Sequence, residues 1–240
     1  MSSRTGLSPS GGHDEYRRQQ PGPGARVSSG KSDRGSETRE LLLVTAERLF
    51  AEHGVEVVSN RQVSEAAGQS NNFAVGYHFG SKEELVVAIV RRHSESIERR
   101  RIDMLAQVTG SPDLRDWVSC LVRPTTEHLA SLGSPSWYAR FITQVTTHPS
   151  YRKLLVDEAY ASRSLQQGLE GMFRLIPRLP EDVKQERNDM GRLMVVHLCA
   201  ERERALQEGT VLPHSTWEST AAGLVDALVG LWLAPVTARR

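Results

Sequence analysis

The chain has 240 residues, of which 30 are Lys or Arg and 29 are Asp or Glu, so its formal net charge is +1. A content of 38% hydrophobic and 25% charged residues excludes a membrane protein and a wholly disordered chain, and the length allows one large domain or two modest ones. Cys120 and Cys199 are far apart and belong to no Cys/His cluster, so neither a disulfide framework nor a zinc site is supported. We expect a cytoplasmic chain that binds no membrane, no metal and no cofactor.

The first 35 residues differ in composition from the rest. Residues 1–35 contain seven Gly, three Pro and seven Ser, with almost no large apolar side chains. Burial cannot offset the entropy cost of ordering such a segment, and we predict a disordered N-terminal arm. Its six basic and three acidic residues give a local charge of +3. The arm is therefore either a solvated tail or a basic segment that contacts DNA phosphate or the minor groove.

Helical periodicity begins at Ser36 and continues to the end of the chain. Apolar residues first recur at spacings of three and four, with Gly54 following as a C-terminal cap, and this pattern predicts the first helix. The apolar positions are Leu42, Leu43, Ala46, Leu49 and Phe50. We expect them to form the buried face of that helix.

A capping box predicts the second helix. Ser59 and Gln62, three residues apart, mark the start of a short helix that extends to Ala67. Its inward face is predicted to consist of Val63, Ala66 and Ala67.

Gly68 breaks the second helix, and a third short helix is predicted from Asn71 to Phe79. Ser81 and Glu84 form another capping box, which predicts a long fourth helix to about Val108.

The remaining sequence is also helical in pattern. Pro112 suits the first turn of a helix that Pro124 should kink or end, and three later prolines can open further helices. Those three are Pro135, Pro149 and Pro180, and Ser215 or Thr216 can cap the last helix. We therefore predict an all-α fold of about nine helices.

The two short helices, joined by a tight turn and preceded by a longer helix, suit a helix-turn-helix unit. In such a unit the second short helix can lie in the major groove of DNA. The run from Thr38 to Leu85 contains Ala46-x-x-Leu49-Phe50-x-x-x-Gly54, then Val63-x-x-Ala66-Ala67-Gly68, then Tyr77-His78-Phe79-x-Ser81-Lys82-Glu83-x-Leu85. Over these roughly 50 residues the chain resembles the DNA-binding domain of the TetR family of bacterial transcriptional regulators.

The resemblance implies a homodimer whose paired N-terminal domains bind a palindromic operator. It implies a helix-turn-helix domain at residues 36–83 and a helical domain for effector binding and dimerisation at residues 84–240. A small-molecule effector is expected to release the DNA, which makes repression the expected mode. Because the stretch between Gly68 and Tyr77 is one residue longer than is usual in the family, we assign base contacts from side-chain chemistry instead.

Candidate DNA contacts lie on and between the short helices. Asn71 and Asn72 can pair with adenine in the major groove, although Asn71 or Ser70 can instead cap the third helix. Arg61 and Gln62 can reach phosphate, unless Gln62 only completes its capping box. The full predicted set is Arg39, Ser59, Arg61, Gln62, Ser70, Asn71, Asn72, Phe73, Tyr77, His78 and Lys82.

The aromatic members of this set have alternative interpretations. The resemblance places Tyr77 and Lys82 at positions that hold phosphate, but Tyr77 can also pack in the core. Phe73 can contact a thymine methyl group or pack inward. We expect His78 to cap or pack within the domain and Phe79 to be a core residue.

Charge within the predicted domain is slightly negative. Residues 36–110 carry nine basic and eleven acidic side chains, and four of the acids lie on the first helix. Those four are Glu37, Glu40, Glu47 and Glu52. We therefore expect few phosphate contacts per subunit and only a modest salt dependence of DNA affinity.

Two apolar stripes in the C-terminal half are candidate dimer interfaces. The last helix has glycines at 223 and 230, which would allow another helix to approach closely. The predicted interface residues are Leu193, Met194, His197, Leu224, Leu228 and Trp232. The alternative is that these stripes are buried within one subunit.

Aromatic residues in the middle of the chain suggest an effector pocket, because such pockets combine apolar walls with a few polar groups. The candidates are Trp117, Cys120, Trp137, Tyr138, Arg140, Phe141 and Tyr151. The alternative is that they form ordinary core.

Two other functional classes remain as alternatives. No GxSxG, HExxH, GxGxxG or P-loop motif is present, and we expect no enzyme, although an all-α enzyme stays an alternative. A helical protein-protein adaptor without DNA binding is the other.

Overall fold

The computed structural model of the chain describes residues 29–210 and 216–237, with side chains from residue 34 onward. Within these ranges every regular element is an α-helix, which confirms the predicted all-α fold. The ten helices are Ser29–His53 (α1), Asn60–Ala66 (α2), Ala74–Phe79 (α3), Lys82–Val108 (α4), Leu114–Leu132 (α5), Tyr138–Thr147 (α6), Pro149–Ala161 (α7), Arg163–Phe173 (α8), Glu181–Gln207 (α9) and Trp217–Leu233 (α10). In the described part of the chain, no helix has the length and apolarity needed to cross a membrane.

Side-chain caps begin three helices at the predicted residues. Ser59 Oγ accepts a hydrogen bond from Gln62 N at 3.2 Å, and Gln62 Oε1 accepts one from Ser59 N at 2.8 Å. Ser81 and Glu84 form the same reciprocal pair at the start of α4, and Thr216 caps α10. These caps satisfy backbone N–H groups that have no partner within the helix, and so local sequence predicts them correctly.

The helix that the sequence pattern does not predict is α8. A single residue, Ser162, separates it from α7. The Ser162 hydroxyl accepts a hydrogen bond from Leu165 N at 3.1 Å and donates one to Glu98 of α4 at 2.6 Å. The break therefore depends on a contact with a distant helix, and neither Gly nor Pro marks it locally.

Proline marks some helix ends but not all of them. Pro149 is the first residue of α7, and Pro180 is the N-cap of α9. Pro135 precedes α6 without opening it, because α6 begins at Tyr138. Pro124 lies buried inside α5, so the predicted end of the helix at this residue is wrong, whereas the alternative of a kink stays a prediction. The missing N–H removes one backbone hydrogen bond, whereas α5 is held along its length by packing on α4, α8 and α10.

The first helix starts earlier than predicted. Residues 29–35 are helical, which corrects the prediction that they belong to a disordered arm. Extending an existing helix costs far less than nucleating one, so the well-packed second half of α1 can support these first seven residues. The rest of the predicted arm lies outside the described residues.

Helix α6 joins the two halves of the molecule. It packs on α1 on one side and on α9 on the other. Phe141 of α6 stacks on Phe50 of α1 with ring centroids 6.2 Å apart, and both side chains are fully buried. One hydrophobic core therefore extends from the first helices into the C-terminal helices, and α4 spans the predicted domain boundary at residues 83 and 84.

The stripe on α10 that was a candidate dimer interface is buried within the subunit. Leu224, Leu228 and Trp232 are at most 6% exposed, because α10 packs on α5 and α9. The Trp232 ring also meets the Phe173 ring of α8 edge-on at a centroid distance of 5.5 Å. The prediction that these three residues form an interface is wrong, since apolar periodicity alone does not distinguish a core from an interface.

A buried hydrogen-bond network lies within the core. His93 of α4 is placed between Glu47 of α1 and His128 of α5: its Nε2 is 2.8 Å from Glu47 Oε2, and its Nδ1 is 2.8 Å from His128 Nε2. With both rings neutral, His93 donates to the Glu47 carboxylate and accepts from the His128 N–H. His128 Nδ1 is then a bare acceptor, and it has no hydrogen-bond partner among the described residues.

We expect His128 to make the fold sensitive to mild acid. Burial, followed by the charges of His93, Arg100 and Arg92, lowers the pKa of His128 from 6.5 to about 4. The unfolded chain takes up this proton near pH 6.5, whereas the folded chain does so only near pH 4. The free energy of unfolding therefore falls as the pH drops through this window, by on the order of 2–3 kcal/mol. Urea unfolding at several pH values across this window measures the decrease in the free energy of unfolding.

A His128→Gln variant should be less stable at neutral pH but should lack this part of the pH dependence. His53→Gln, at an exposed position at the end of α1, is the matched control and should keep the parent profile. Parallel pH profiles for the parent and His128→Gln would contradict the assignment.

Candidate DNA-binding site and ligand cavity

The turn between α2 and α3 requires glycine at one position. Gly68 N–H donates to Glu65 O at 2.9 Å and Gln69 N–H to Ser64 O at 3.0 Å, the two hydrogen bonds of a Schellman motif. Gly68 has a φ of +68°, a left-handed conformation that costs other residues roughly 1–2 kcal/mol. The predicted break at Gly68 is therefore confirmed, and its cause is the backbone conformation.

Ser64 fixes α3 against α2, a role that its local sequence does not indicate. Its side chain is fully buried, and its hydroxyl donates to Asn60 O at 3.1 Å and accepts from Val75 N at 3.4 Å. Ala66, which was predicted on the inward face, is exposed. A serine beside apolar positions is not recognisable as a buried residue from sequence, because its partner lies on another helix.

Helix α3 begins later than predicted. It starts at Ala74, with Phe73 as N-cap, so Asn71 and Asn72 precede the helix and neither Asn71 nor Ser70 caps it. Asn71 Oδ1 accepts a hydrogen bond from Phe73 N at 2.9 Å. Such an Asx turn competes with helix formation, which explains the late start. Ser70 and Asn72 are exposed beside α3.

Two aromatic side chains on this segment point into solvent. Phe73 is 81% exposed and Tyr77 is 83% exposed, so the alternative that they pack inward is wrong. His78 is half-buried, with its ring 5.0 Å from that of Tyr77, and it packs within the domain as expected. Phe79 is buried, which confirms its prediction as a core residue. The segment thus presents two large rings on one outer surface.

Several predicted phosphate ligands are engaged within the protein. Ser59 and Gln62 are held by their capping box, so the alternative interpretation of Gln62 is confirmed. Lys82 Nζ donates to Val55 O at 3.0 Å and to Glu56 O at 3.5 Å. Lys82 therefore uses two of its three donors to close the turn after α1.

Two arginines remain at the surface near α2 and α3. Arg61 donates to Glu65 at 2.7 Å, and its side chain is largely exposed. The Arg39 guanidinium lies 4.8 Å from the centre of the Phe79 ring, and Arg39 is also exposed. A surface ion pair contributes about 0–1 kcal/mol, so phosphate can displace Glu65 from Arg61 at little cost.

Ion pairing reduces the negative charge of α1. Glu47 is buried against His93, and Glu40 lies 2.6 Å from Arg92. Glu52 pairs with Arg48 at 3.2 Å. These three glutamates therefore add less negative charge to the exposed surface of α1 than their number implies.

A cavity of about 340 Å³ lies among α4, α5, α6, α7, α8 and α9. Its walls are mainly aliphatic, and three arginines, two glutamates and several hydroxyl side chains also line it. Among the predicted pocket residues, Tyr138 lines this cavity. A wider cleft of about 670 Å³ beside α3 is lined by many charges of both signs.

The other predicted pocket residues have structural roles instead. Trp117, Cys120, Phe141 and Tyr151 are buried in the core, and Trp137 packs against it. Trp117 lies so close to Gly171 of α8 that a Cβ there would be 1.9 Å from its ring. This placement favours the interpretation as ordinary core.

Arg140 is also a structural residue. Its Nε donates to Glu203 at 3.2 Å, and Glu203 is only 2% exposed. The same carboxylate accepts hydrogen bonds from the backbone N–H groups of Ala139 and Arg140 at 3.2 and 3.0 Å. A carboxylate from α9 therefore caps the start of α6, and Arg140 balances its charge.

Comparison with known proteins identifies the helix-turn-helix region. Residues 42–89 match the family described as bacterial regulatory proteins, tetR family. The HTH-type transcriptional repressors AcnR of Corynebacterium efficiens and of Corynebacterium glutamicum are each 34% identical to the chain over 98 residues, which is 39% of this chain and 52% of each relative. The chain thus spans about half the length of the curated relatives it matches.

The fold extends the likeness beyond this region. The crystal structure of NalD, the secondary repressor of the MexAB-OprM multidrug efflux pump in Pseudomonas aeruginosa, covers 84% of this chain and 98% of its own at a TM-score of 0.53. At 19% identity this likeness concerns the fold alone.

We expect Ser64→Ala to loosen the helix-turn-helix unit. The variant leaves the Val75 N–H without its acceptor and should lower the free energy of unfolding by about 1–2 kcal/mol. Urea unfolding measures the change, and hydrogen exchange at the Val75 amide should quicken. Ser70→Ala, at an exposed position in the same segment, should change stability by less than about 0.5 kcal/mol. Equal effects of the two substitutions would contradict the bridging role.

Proposed function

We propose that this chain, whose N-terminal domain belongs to the TetR family of bacterial regulatory proteins, is a cytoplasmic, homodimeric transcriptional repressor that a small-molecule effector releases from a palindromic operator. The observation that carries the proposal is the outward placement of Phe73 and Tyr77 on a helix-turn-helix unit fixed by Ser64 and Gly68. The family that residues 42–89 match consists of regulatory proteins, and this match does not favour the alternative that the chain is an all-α enzyme.

The surface formed by α3 and the residues just before it has the chemistry to read the major groove. A phenyl ring such as Phe73 can contact a thymine methyl group, and the exposed amide of Asn72 can pair with adenine N6 and N7. The Tyr77 hydroxyl and Arg61 can contact phosphate on either side. Two such units in a dimer would read half-sites about 34 Å apart, which is one turn of DNA.

Selection of bound sequences from random duplex DNA by the full chain tests this function, and we expect a palindrome to be enriched. Phe73→Ala and Tyr77→Ala should each weaken binding to that sequence by about tenfold or more, a loss of about 1.4 kcal/mol. Their free energies of unfolding should change by less than about 0.5 kcal/mol, because both side chains are already exposed.

Tyr160→Ala is the matched control for these two variants, since Tyr160 of α7 is 72% exposed and lies outside the helix-turn-helix unit. It should bind DNA as the parent does. If no palindrome is enriched, the adaptor alternative is favoured.

The outer faces of α9 and α10 support a dimer interface. Met190, Leu193 and Leu198 of α9 are 42–49% exposed, and His197 is exposed beside them, while Met194 is half-buried. On α10, Gly223 and Gly230 face open space, where a second helix can approach closely. We propose that α9 and α10 of two subunits form a four-helix interface. Its apolar contacts come from the exposed residues of α9, because the apolar stripe of α10 is already buried within the subunit.

Charge placed on this face should separate the subunits. Sizing of a Leu193→Glu/Leu198→Glu double variant at micromolar concentration should give a monomer, whereas the parent gives a dimer, because carboxylates at a dimer core lack partners. Ile102→Glu, at a position 52% exposed on α4, is the control and should remain dimeric. A monomeric parent would contradict the interface.

The cavity is connected to the helix-turn-helix unit through α6. Tyr138 and Ile142 of α6 line the cavity, and the Tyr138 ring stacks on His93 at a centroid distance of 3.8 Å. His93 is bonded to Glu47 of α1. A ligand that shifts α6 would therefore displace α1, which supports effector control of DNA binding from this cavity.

A further inference from the structure

We infer that the cavity among α4, α5, α6, α7, α8 and α9 takes a monocarboxylate with an apolar body, and that the ligand's carboxylate lies between Arg152 and Arg192. This inference rests on the proposed function, in which the same cavity holds the effector. It is carried by the distribution of charge around the cavity.

The two acidic side chains among the described lining residues of the cavity already have their own cations. Glu158 accepts two hydrogen bonds from Arg91, at 2.9 and 2.7 Å. Glu98 lies 3.2 Å from Arg101 and also accepts a hydrogen bond from Ser162. These pairs leave no acidic side chain among the described lining residues to receive a cationic ligand.

The remaining cations share one carboxylate. Arg152 and Arg192 both line the cavity, and both donate to the same oxygen, Asp189 Oδ1, at 3.5 and 3.4 Å. The other oxygen, Oδ2, accepts from Gln185 at 3.4 Å. Both arginine contacts are near the outer limit of a hydrogen bond, so neither guanidinium is saturated.

Counting these groups gives an excess of one positive charge. Four guanidiniums, of Arg91, Arg101, Arg152 and Arg192, face three carboxylates, of Glu98, Glu158 and Asp189. One carboxylate from a ligand would balance the set and could accept paired N–H donors from the planar guanidiniums. A ligand with several negative charges would instead give the set a net negative charge.

The exposure of the lining residues orients the ligand. The side chains of Arg152 and Arg192 are 49% and 31% exposed, which places them at the opening. Val90 and Ile97 are at most 9% exposed and lie at the inner wall. The charged end therefore stays near water while the apolar body contacts the aliphatic walls, so that no uncompensated charge is buried. A volume of about 340 Å³ is at the small end of the range for ligand pockets.

Titration calorimetry of the full chain with three ligands of equal length tests the inference. Octanoate is ionised at neutral pH, octanamide is neutral, and octylamine is cationic. We expect octanoate to bind at least about tenfold more tightly than either of the others. Equal or tighter binding of octanamide or octylamine, or no binding of octanoate, would overturn it.

Two substitutions locate the carboxylate. The Arg152→Gln/Arg192→Gln variant should bind octanoate no better than octanamide, whereas Arg178→Gln, at an exposed position outside the cavity lining, should bind as the parent does. Asp189→Asn removes the carboxylate that competes for the two arginines and should tighten octanoate binding several-fold. An unchanged or weaker affinity in Asp189→Asn would overturn the placement.

DNA binding separates this inference from the proposed function. If the chain binds its selected palindrome but octanoate neither binds nor releases it, the ligand class is wrong and the repressor function stands. If octanoate binds with the expected preference but no DNA is selected, the ligand class stands and the repressor function fails.

Discussion

The buried hydrogen bond between Glu47 and His93 is the contact on which the arrangement of the helices depends. A carboxylate in a protein interior costs several kcal/mol unless a hydrogen-bonded partner compensates it. Glu47 is on α1, His93 on α4 and the next member, His128, on α5, so three helices must meet at one point for the network to be satisfied. The apolar core around it could tolerate small shifts, but the hydrogen-bond distances could not. This requirement fixes the first helix against the C-terminal helices.

The same network places a ligand cavity next to the helix that supports the recognition unit. Tyr138 belongs to both, because its ring stacks on His93 and also lines the cavity. Helix α6, which carries Tyr138, is itself held by the buried carboxylate of Glu203 at its N-terminus and by Phe50 along its side. In the proposed function, an α6 attached at these points would move as a unit. The structure thus provides a physical link between effector and operator in the proposed function.

The surface that we propose to face DNA could be predicted in part. The resemblance and the capping residues locate α2 and α3, and Gly68 marks the turn correctly because its requirement is local to the backbone. The outward direction of Phe73 and Tyr77 could not be predicted, since spacing defines which residues share a face but not which neighbour covers it. The Asx turn at Asn71 lies within the longer stretch before Tyr77 and directly precedes α3, and local sequence did not indicate it.

The sequence by itself determined the fold class, the helix starts that have capping residues, and the similarity of residues 42–89 to bacterial regulatory proteins of the tetR family. These features depend on neighbouring residues, as at Ser59 and Ser81, and short-range hydrogen bonds are visible in local sequence. Tertiary structure alone decided which apolar stripes are buried, so that Leu224 is a core residue while Leu193 is exposed. It also decided that Arg152 of α7 and Arg192 of α9 would both donate to the Asp189 carboxylate beside a cavity. These outcomes depend on helices far apart in the chain, and no local pattern specifies how such helices meet.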